Sequence, residues 1–336
     1  YLKSTLALIF LMISFKIFSH TWDEPWHKEV VAGSDTFGLY EVVGNSGFSV
    51  NLNLIKHLAG ENADKEIEVS QYYLFDRTSN PSDLDDHPFE YSKGQRVYAF
   101  LKKEGDRYAV ATPMSGIATI LEDGSVHATY RHSLHGAKSD PQEYEILQTC
   151  IFNYLHGLEC QAHAVALVKK TLKVPVGVLS ESASDEDVDR FFSQHAALET
   201  SYLAKIPNSI DVLRPFLDSD FFHVQVGAVR ALAASNYSNK EGELLSFVAS
   251  DDKDGMARVM AVLLLNELPS ENAVIFLNEY LTSAPEEEVY LGANSIMDPR
   301  IGTWYPQSVK AAVEWYLAEN KALNKSMQPT ANASAD

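Results

Sequence analysis

Near Asp140 the spacing of the apolar residues changes, and no other feature of the chain narrows the fold so far. From Val30 to about Tyr130 apolar and polar residues alternate, as on a strand with one buried face. After Asp140 they return at every third or fourth position, as on a helix. Strands first and helices second, rather than interleaved, predict an α+β architecture. "SVNLNLI" sets Val50, Leu52 and Leu54 on one face, and "EIEVSQYY" does the same with Ile67, Val69, Gln71 and Tyr73. "RVYAFLKK" is apolar on both faces, as a strand covered on both sides must be. Gly105–Asp106 and Asp123–Gly124 supply turn residues for two hairpins. "GNSG", Gly44–Gly47, is a turn between strands rather than a nucleophile elbow. Short strands joined in this way predict an antiparallel β-barrel or sandwich.

In the second half Pro141 opens a helix with Tyr144, Leu147, Ile151, Tyr154 and Leu155 as its apolar stripe, and Gly157 ends it. A shorter helix is expected near Ala162–Leu172. Ser184 caps a third, with Val188, Phe191, Phe192 and Leu198 facing inward. Beyond Asn208 the chain repeats weakly. Sliding "DSDFFHVQVGAVRALAAS" along by 33 residues onto "DDKDGMARVMAVLLLNEL" superposes Val226 on Val259, Ala228 on Ala261, Val229 on Val262 and Leu232 on Leu265. Small residues among the apolar ones let stacked helices approach, and each helical hairpin covers the open side of the last. The copies part at Arg230, which meets Leu263. Residues 209–282 resemble HEAT-type repeats, which implies an α-helical HEAT-like array presenting a surface to partners. "PQSVKAAVEWYLAEN" supplies a last amphipathic helix, and 321–336 reads as a polar, disordered tail.

"GQRVYAFLKKEGDRYAVATPMSGIATILEDGSV" resembles the netrin-like and metalloprotease-inhibitor (TIMP-like) domains of secreted proteins, over about Glu29–Gly157. The resemblance implies an OB-like barrel followed by a helix, and a protease-inhibitor-like role. Members of that family begin with paired cysteines near the mature N-terminus, which are lacking here. The terminal "MQPTANASAD" resembles the tails of proteins encoded on integron cassettes, which implies a bacterial source.

"YLKSTLALIFLMISFKIFS" has the positive start, short apolar core and small final residue of a secretory signal peptide, with cleavage after Ser19. The apolar run is too short to span a bilayer. The expected organisation is therefore a signal over 1–19, a β-barrel module with its terminal helix over 20–157, a linker with a short helix over 158–182, helical repeats over 183–320, and the tail. Export places the protein in the periplasm or outside the cell, without stable membrane insertion. The formal net charge of −19 disfavours nucleic acid as a partner. "TWDEPW" reads as an apolar lead-in, with Trp22, Pro25 and Trp26 docking on the barrel.

Candidate chemistry is sparse. Cleavage after Ser19 would expose His20, whose α-amine and imidazole could hold copper together with His27, His57 or His127. Cys150, His156, Cys160 and His163 admit three readings: a Cys150–Cys160 disulfide in an oxidising compartment, two free thiols, or a zinc site. "SVHATYRHSLHG" gathers His127, Arg131, His132 and His135 in a candidate anion patch, with His127, Thr129 and Arg131 sharing a strand face. Asp83, Asp85 and Asp86 form an acidic loop without the glycine and distal glutamate of an EF-hand. No G-x-S-x-G, H-E-x-x-H or Walker motif occurs. The expectation is binding or scaffolding toward a protein or peptide, without a cofactor. Metal binding through His20 or the loop histidines, and an enzyme with an unrecognised site, are the alternatives.

Overall fold

A computed structural model describes residues 22–46, 49–70, 91–112, 115–132, 136–180, 182–290, 301–302 and 304–323. The acidic loop of Asp83, Asp85 and Asp86, as well as His20 and His135, lies outside the described residues. The architecture is α+β, a closed five-stranded barrel followed by helices. The chain enters by a two-residue strand, β1 (Trp22–Asp23), and a short helix, α1 (His27–Ala32). Five strands then form the barrel: β2 (Thr36–Ser46), β3 (Ser49–Gly60), β4 (Glu66–Val69), β5 (Arg96–Glu104) and β6 (Arg107–Ala109). Their order is β2-β3-β4-β6-β5, with β5 pairing back onto β2.

One seam departs from the expected antiparallel pattern. β4 and β6 run parallel, joined at Val69 and Tyr108. In a ring of five strands alternating directions cannot all be satisfied, so at least one pairing must be parallel. β7 (Ile117–Thr119) adds to β5 outside the ring. The expected hairpin at Gly105 is present, with Gly105 at φ +65°. At Asp123–Gly124 the Leu121 amide donates across the turn to the Ser125 carbonyl at 2.8 Å, and Ile120 bridges to Val126. β8 (Val126–Thr129) leaves the barrel to pair with β9 (Gly136–Ser139), a strand for which "GAKS" carries no alternating signal. β8 also stops at Thr129, so Arg131 lies beyond the strand rather than on its face.

β5 explains why its sequence is apolar on both faces. Val97, Ala99 and Leu101 fill the barrel with Tyr40, Val42, Val50, Leu52, Ile67 and Val69. Tyr98 and Phe100 point outward onto α2 (Pro141–Leu155), where Tyr144, Leu147, Ile151 and Phe152 meet them. Phe37 stacks on Phe100 at 4.2 Å. Asp140 caps α2 by accepting from the Gln142 and Glu143 amides at 2.8 and 3.1 Å. The expected stripe of α2 is corrected at Tyr154, which is exposed while Phe152 is buried. The helix lies between the barrel and the later helices, so its covered arc centres on Leu147, Gln148 and Ile151.

The remaining helices are α3 (Ala162–Thr171), α4 (Asp185–Leu203), α5 (Ile210–Leu217), α6 (Phe222–Ala234), α7 (Lys240–Ala249), α8 (Gly255–Leu265), α9 (Glu271–Tyr280) and α10 (Val309–Glu319). α4, α6, α8 and α10 lie side by side as an inner layer, and α5, α7 and α9 each pack on the helix that follows them. The residues matched by the 33-residue shift, Val226 with Val259 and Leu232 with Leu265 among them, are all fully buried in this layer. Adjacent acidic loops are joined, with Lys253 Nζ 3.1 Å from Asp218. One continuous apolar core runs from Val30, Phe37 and Tyr98 through α2 and α4 to Leu317. Ala164, Val168 and Leu172, in the segment read as a linker, belong to it.

Candidate functional site

From Gln194 to Leu203 α4 is buried on all sides, and the helix packs among α2, β9, α3 and α6. The polar residues of that stretch must therefore find partners inside the protein. Glu199, fully buried, does so with two arginines. Arg131 Nε lies 2.5 Å from Oε1 and Arg230 Nε 2.7 Å from Oε2. Arg131 Nη2 also donates to the His223 carbonyl at 2.7 Å. Burial would raise the Glu199 carboxyl, but the two guanidiniums overcome it and hold the pKa at about 2. Four histidines surround the triad. Burial first, then the arginine charges, push His132 and His223 down to about 4 and His195 to about 3. Burial likewise takes His27 to about 4, against the hydrogen bond that His27 Nε2 donates to Gln148 Oε1. All four are neutral at pH 7.

Above this cluster lies a pocket of about 250 Å³. It is lined by Trp26, Lys28 and Glu29 from the N-terminal segment, by Tyr202 of α4, Arg230 of α6 and Met260, Leu263 and Leu264 of α8, and by Glu267, Trp304 and Trp315. Three of the four tryptophans of the chain converge here. The N-terminal segment is held by its backbone, as β1 pairs in parallel with β10 (Ile301–Gly302). It is also held by Glu24, a buried carboxylate that accepts from Thr112 at 2.9 Å and Ser115 at 2.5 Å. Trp26 then turns toward the helices, edge-on to His132 at 5.8 Å, instead of docking on the barrel. The Arg230 guanidinium carbon lies 4.1 Å from the Tyr202 ring and 5.6 Å from that of Trp26. Trp304 and Trp315 lie 5.8 Å apart.

A larger polar hollow of about 450 Å³ runs from Asp123 past Lys138 to Asp189. Several of its charged groups serve turns and caps. Asp123 binds Lys138 at 3.0 Å and the Ser125 amide at 2.9 Å, Asp140 caps α2, and Glu143 accepts from Ser193 at 3.0 Å. The aromatic pocket therefore stands out by its chemistry rather than its size.

Of the residues singled out in the sequence, Arg131 and His132 come together in the buried cluster, under the pocket. Arg131 has no exposed side-chain surface, and Glu199 meets its charge. His127 lies on β8 against Gly136. His27 is buried, with Nε2 2.8 Å from Gln148 and its ring edge-on to Phe100. Cys150 and Cys160 are joined as a disulfide, with Cα atoms 4.5 Å apart. His156 Nε2 donates to the Ser34 carbonyl oxygen at 2.8 Å. Among the described residues no three His, Cys, Asp or Glu side chains are gathered so as to hold a metal ion. No described helix is long and apolar enough to cross a membrane. Glu199, Tyr202, Arg230, Trp304 and Trp315 carry the site and escape motif reading. The one signal was the mismatch of Arg230 with Leu263, since both residues line the pocket. Comparison with protein-family models, curated proteins and solved structures finds no match for the chain.

Proposed function

We propose that this is an exported, bacterial binding protein, periplasmic or extracellular, that captures a protein or peptide partner in the aromatic pocket. The observation that carries the reading is the convergence of Trp26, Trp304 and Trp315 on one concave site. Tryptophan and arginine dominate the energetics of polypeptide recognition, and they do so from pockets that exclude water. The paired helices, with α4, α6, α8 and α10 side by side, support a HEAT-like array. The ring order of first, second, third, fifth and fourth strand supports an OB-like barrel. In this reading the barrel is the frame that sets Trp26 against the helices.

The test is a selection of displayed random peptides on the immobilised protein, with the Trp304→Ala variant as the comparison. Enrichment on the parent protein that falls away on the variant is the expected result. Equal enrichment on both, or none on either, would remove the pocket from the function.

A further inference from the structure

Arg230 has more donors than the protein uses. Nε donates to Glu199 at 2.7 Å, the Tyr202 and Trp26 rings lie against the guanidinium, and no described residue accepts from Nη1 or Nη2. The side chain is only 5% exposed, so bulk water solvates it poorly. Two guanidiniums share one carboxylate, and the four nearby histidines are neutral. The cluster under the pocket thus keeps one uncompensated positive charge. The two rim acids, Glu29 and Glu267, stay anionic but are matched by two rim bases: Lys205 lies 3.3 Å from Glu267, and Lys28 shares the lining with both acids. Positive charge at this one place runs against the net −19 of the chain.

The size of the pocket limits the anion. About 250 Å³ lies below the roughly 300–1,000 Å³ of sites for drug-sized ligands, so a nucleotide or an organic cofactor is too large. A phosphate would fill the Arg230 end and leave the tryptophans and Leu263 uncovered. What fits is one carboxylate beside one apolar group. The last residue of a polypeptide carries both on a single Cα.

We propose that the pocket receives the C-terminus of the partner. The free α-carboxylate lies on Nη1 and Nη2 of Arg230, and an apolar terminal side chain lies between Trp26, Trp304 and Trp315. This rests on the peptide-binding reading above and names the part of the partner that is read.

The experiment uses the full chain and calorimetric titration with a hexapeptide mixture, five positions randomised and the last fixed as leucine. The mixture is supplied as the free acid and as the C-terminal amide. A carboxylate on a buried guanidinium makes amidation weaken binding by about 10-fold or more. In Arg230→Met the acid and the amide should bind alike; if that variant does not fold, as judged by circular dichroism, the comparison on the parent protein decides alone. Acid and amide binding equally to the parent protein would overturn the carboxylate anchor and leave peptide binding standing. Binding by neither mixture, with peptides still enriched in the display selection, would overturn recognition of the terminus alone. Failure of both would overturn peptide binding as well. N-acetyl-leucine binding as tightly as the acid mixture would overturn a polypeptide partner in favour of a small carboxylate.

Discussion

Arg131 Nε stands 2.5 Å from Glu199 Oε1, and neither side chain exposes any surface. The pair ties the chain just after β8 to the C-terminal part of α4, so it locks the barrel half onto the helical half. Removing one partner of a buried ion pair strands the other charge and costs about 3–5 kcal/mol. Glu199→Gln strands two arginines and should fall in that range by urea unfolding. Arg230→Met should cost clearly less, because it leaves Arg131 and Glu199 as a neutral pair. Equal losses for the two variants would mean that the triad does not work as a shared-carboxylate lock.

Stability should depend on pH through the same cluster. His27, His132 and His223 fall to about 4 and His195 to about 3 in the folded protein, against about 6.5 in the unfolded chain. Between pH 6.5 and 4 the unfolded state binds more protons, so stability falls as pH falls, by up to about 1.4 kcal/mol per pH unit for each histidine. Above pH 7 this contribution is flat. Glu199, depressed from 4.5 to about 2, adds a second loss as pH drops below 4.5 toward 2. Urea midpoints from pH 8 to pH 4 should decline steeply only below pH 6.5, and a flat profile would contradict the neutral histidines.

Elements with a local cause were legible in the sequence. Two-faced "RVYAFLKK" became β5, the strand between the barrel interior and α2, and the 33-residue match became buried positions of α6 and α8. What escaped depends on distant partners. Glu199 reads as one more acid on an amphipathic helix until Arg131, 68 residues earlier, meets it. Gln148 looks like a break in the stripe of α2 until His27, 121 residues away, bonds it. The pocket joins Trp26 to Trp304 and Trp315 from near the opposite end of the chain. No spacing rule reaches so far; the pairing of β1 with β10 and the packing of α10 on α8 bring these segments together.

Gly60 marks the tight contact between the barrel and α2. It ends β3 at φ +82°, and an added Cβ would lie 2.2 Å from the Asp35 carbonyl oxygen and 2.7 Å from Phe152. Gly94 has a similar φ of +86° with nothing within 4 Å. Both Gly→Ala changes carry the left-handed penalty of about 1–2 kcal/mol. Gly60→Ala adds an overpacking cost of about 1–3 kcal/mol. Thermal unfolding should therefore rank Gly60→Ala well below Gly94→Ala, and similar melting temperatures would count against the close approach.

The Cys150–Cys160 disulfide closes a loop with a sequence separation of 10 and pins the end of α2 to the start of α3. For a loop of that length the chain-entropy account gives about 2–3 kcal/mol. Reductant, or Cys160→Ser, should lower the melting temperature without changing the circular dichroism spectrum at 20 °C (on the order of room temperature). A melting curve indifferent to reductant would show that the bond adds nothing to stability.

Trp304 offers the cleanest separation of binding from folding. Its side chain is 55% exposed and it touches Trp315 at 5.8 Å, so the fold draws little from it. Surface substitutions away from packed features change stability by no more than about 0.5 kcal/mol. A tryptophan that completes a binding pocket commonly contributes more than about 1 kcal/mol to affinity. Trp304→Ala should therefore unfold at the parent urea concentration and yet bind peptides several-fold more weakly. Loss of stability in proportion to loss of binding would instead make Trp304 a structural plug, with the pocket it covers no more than a packing defect.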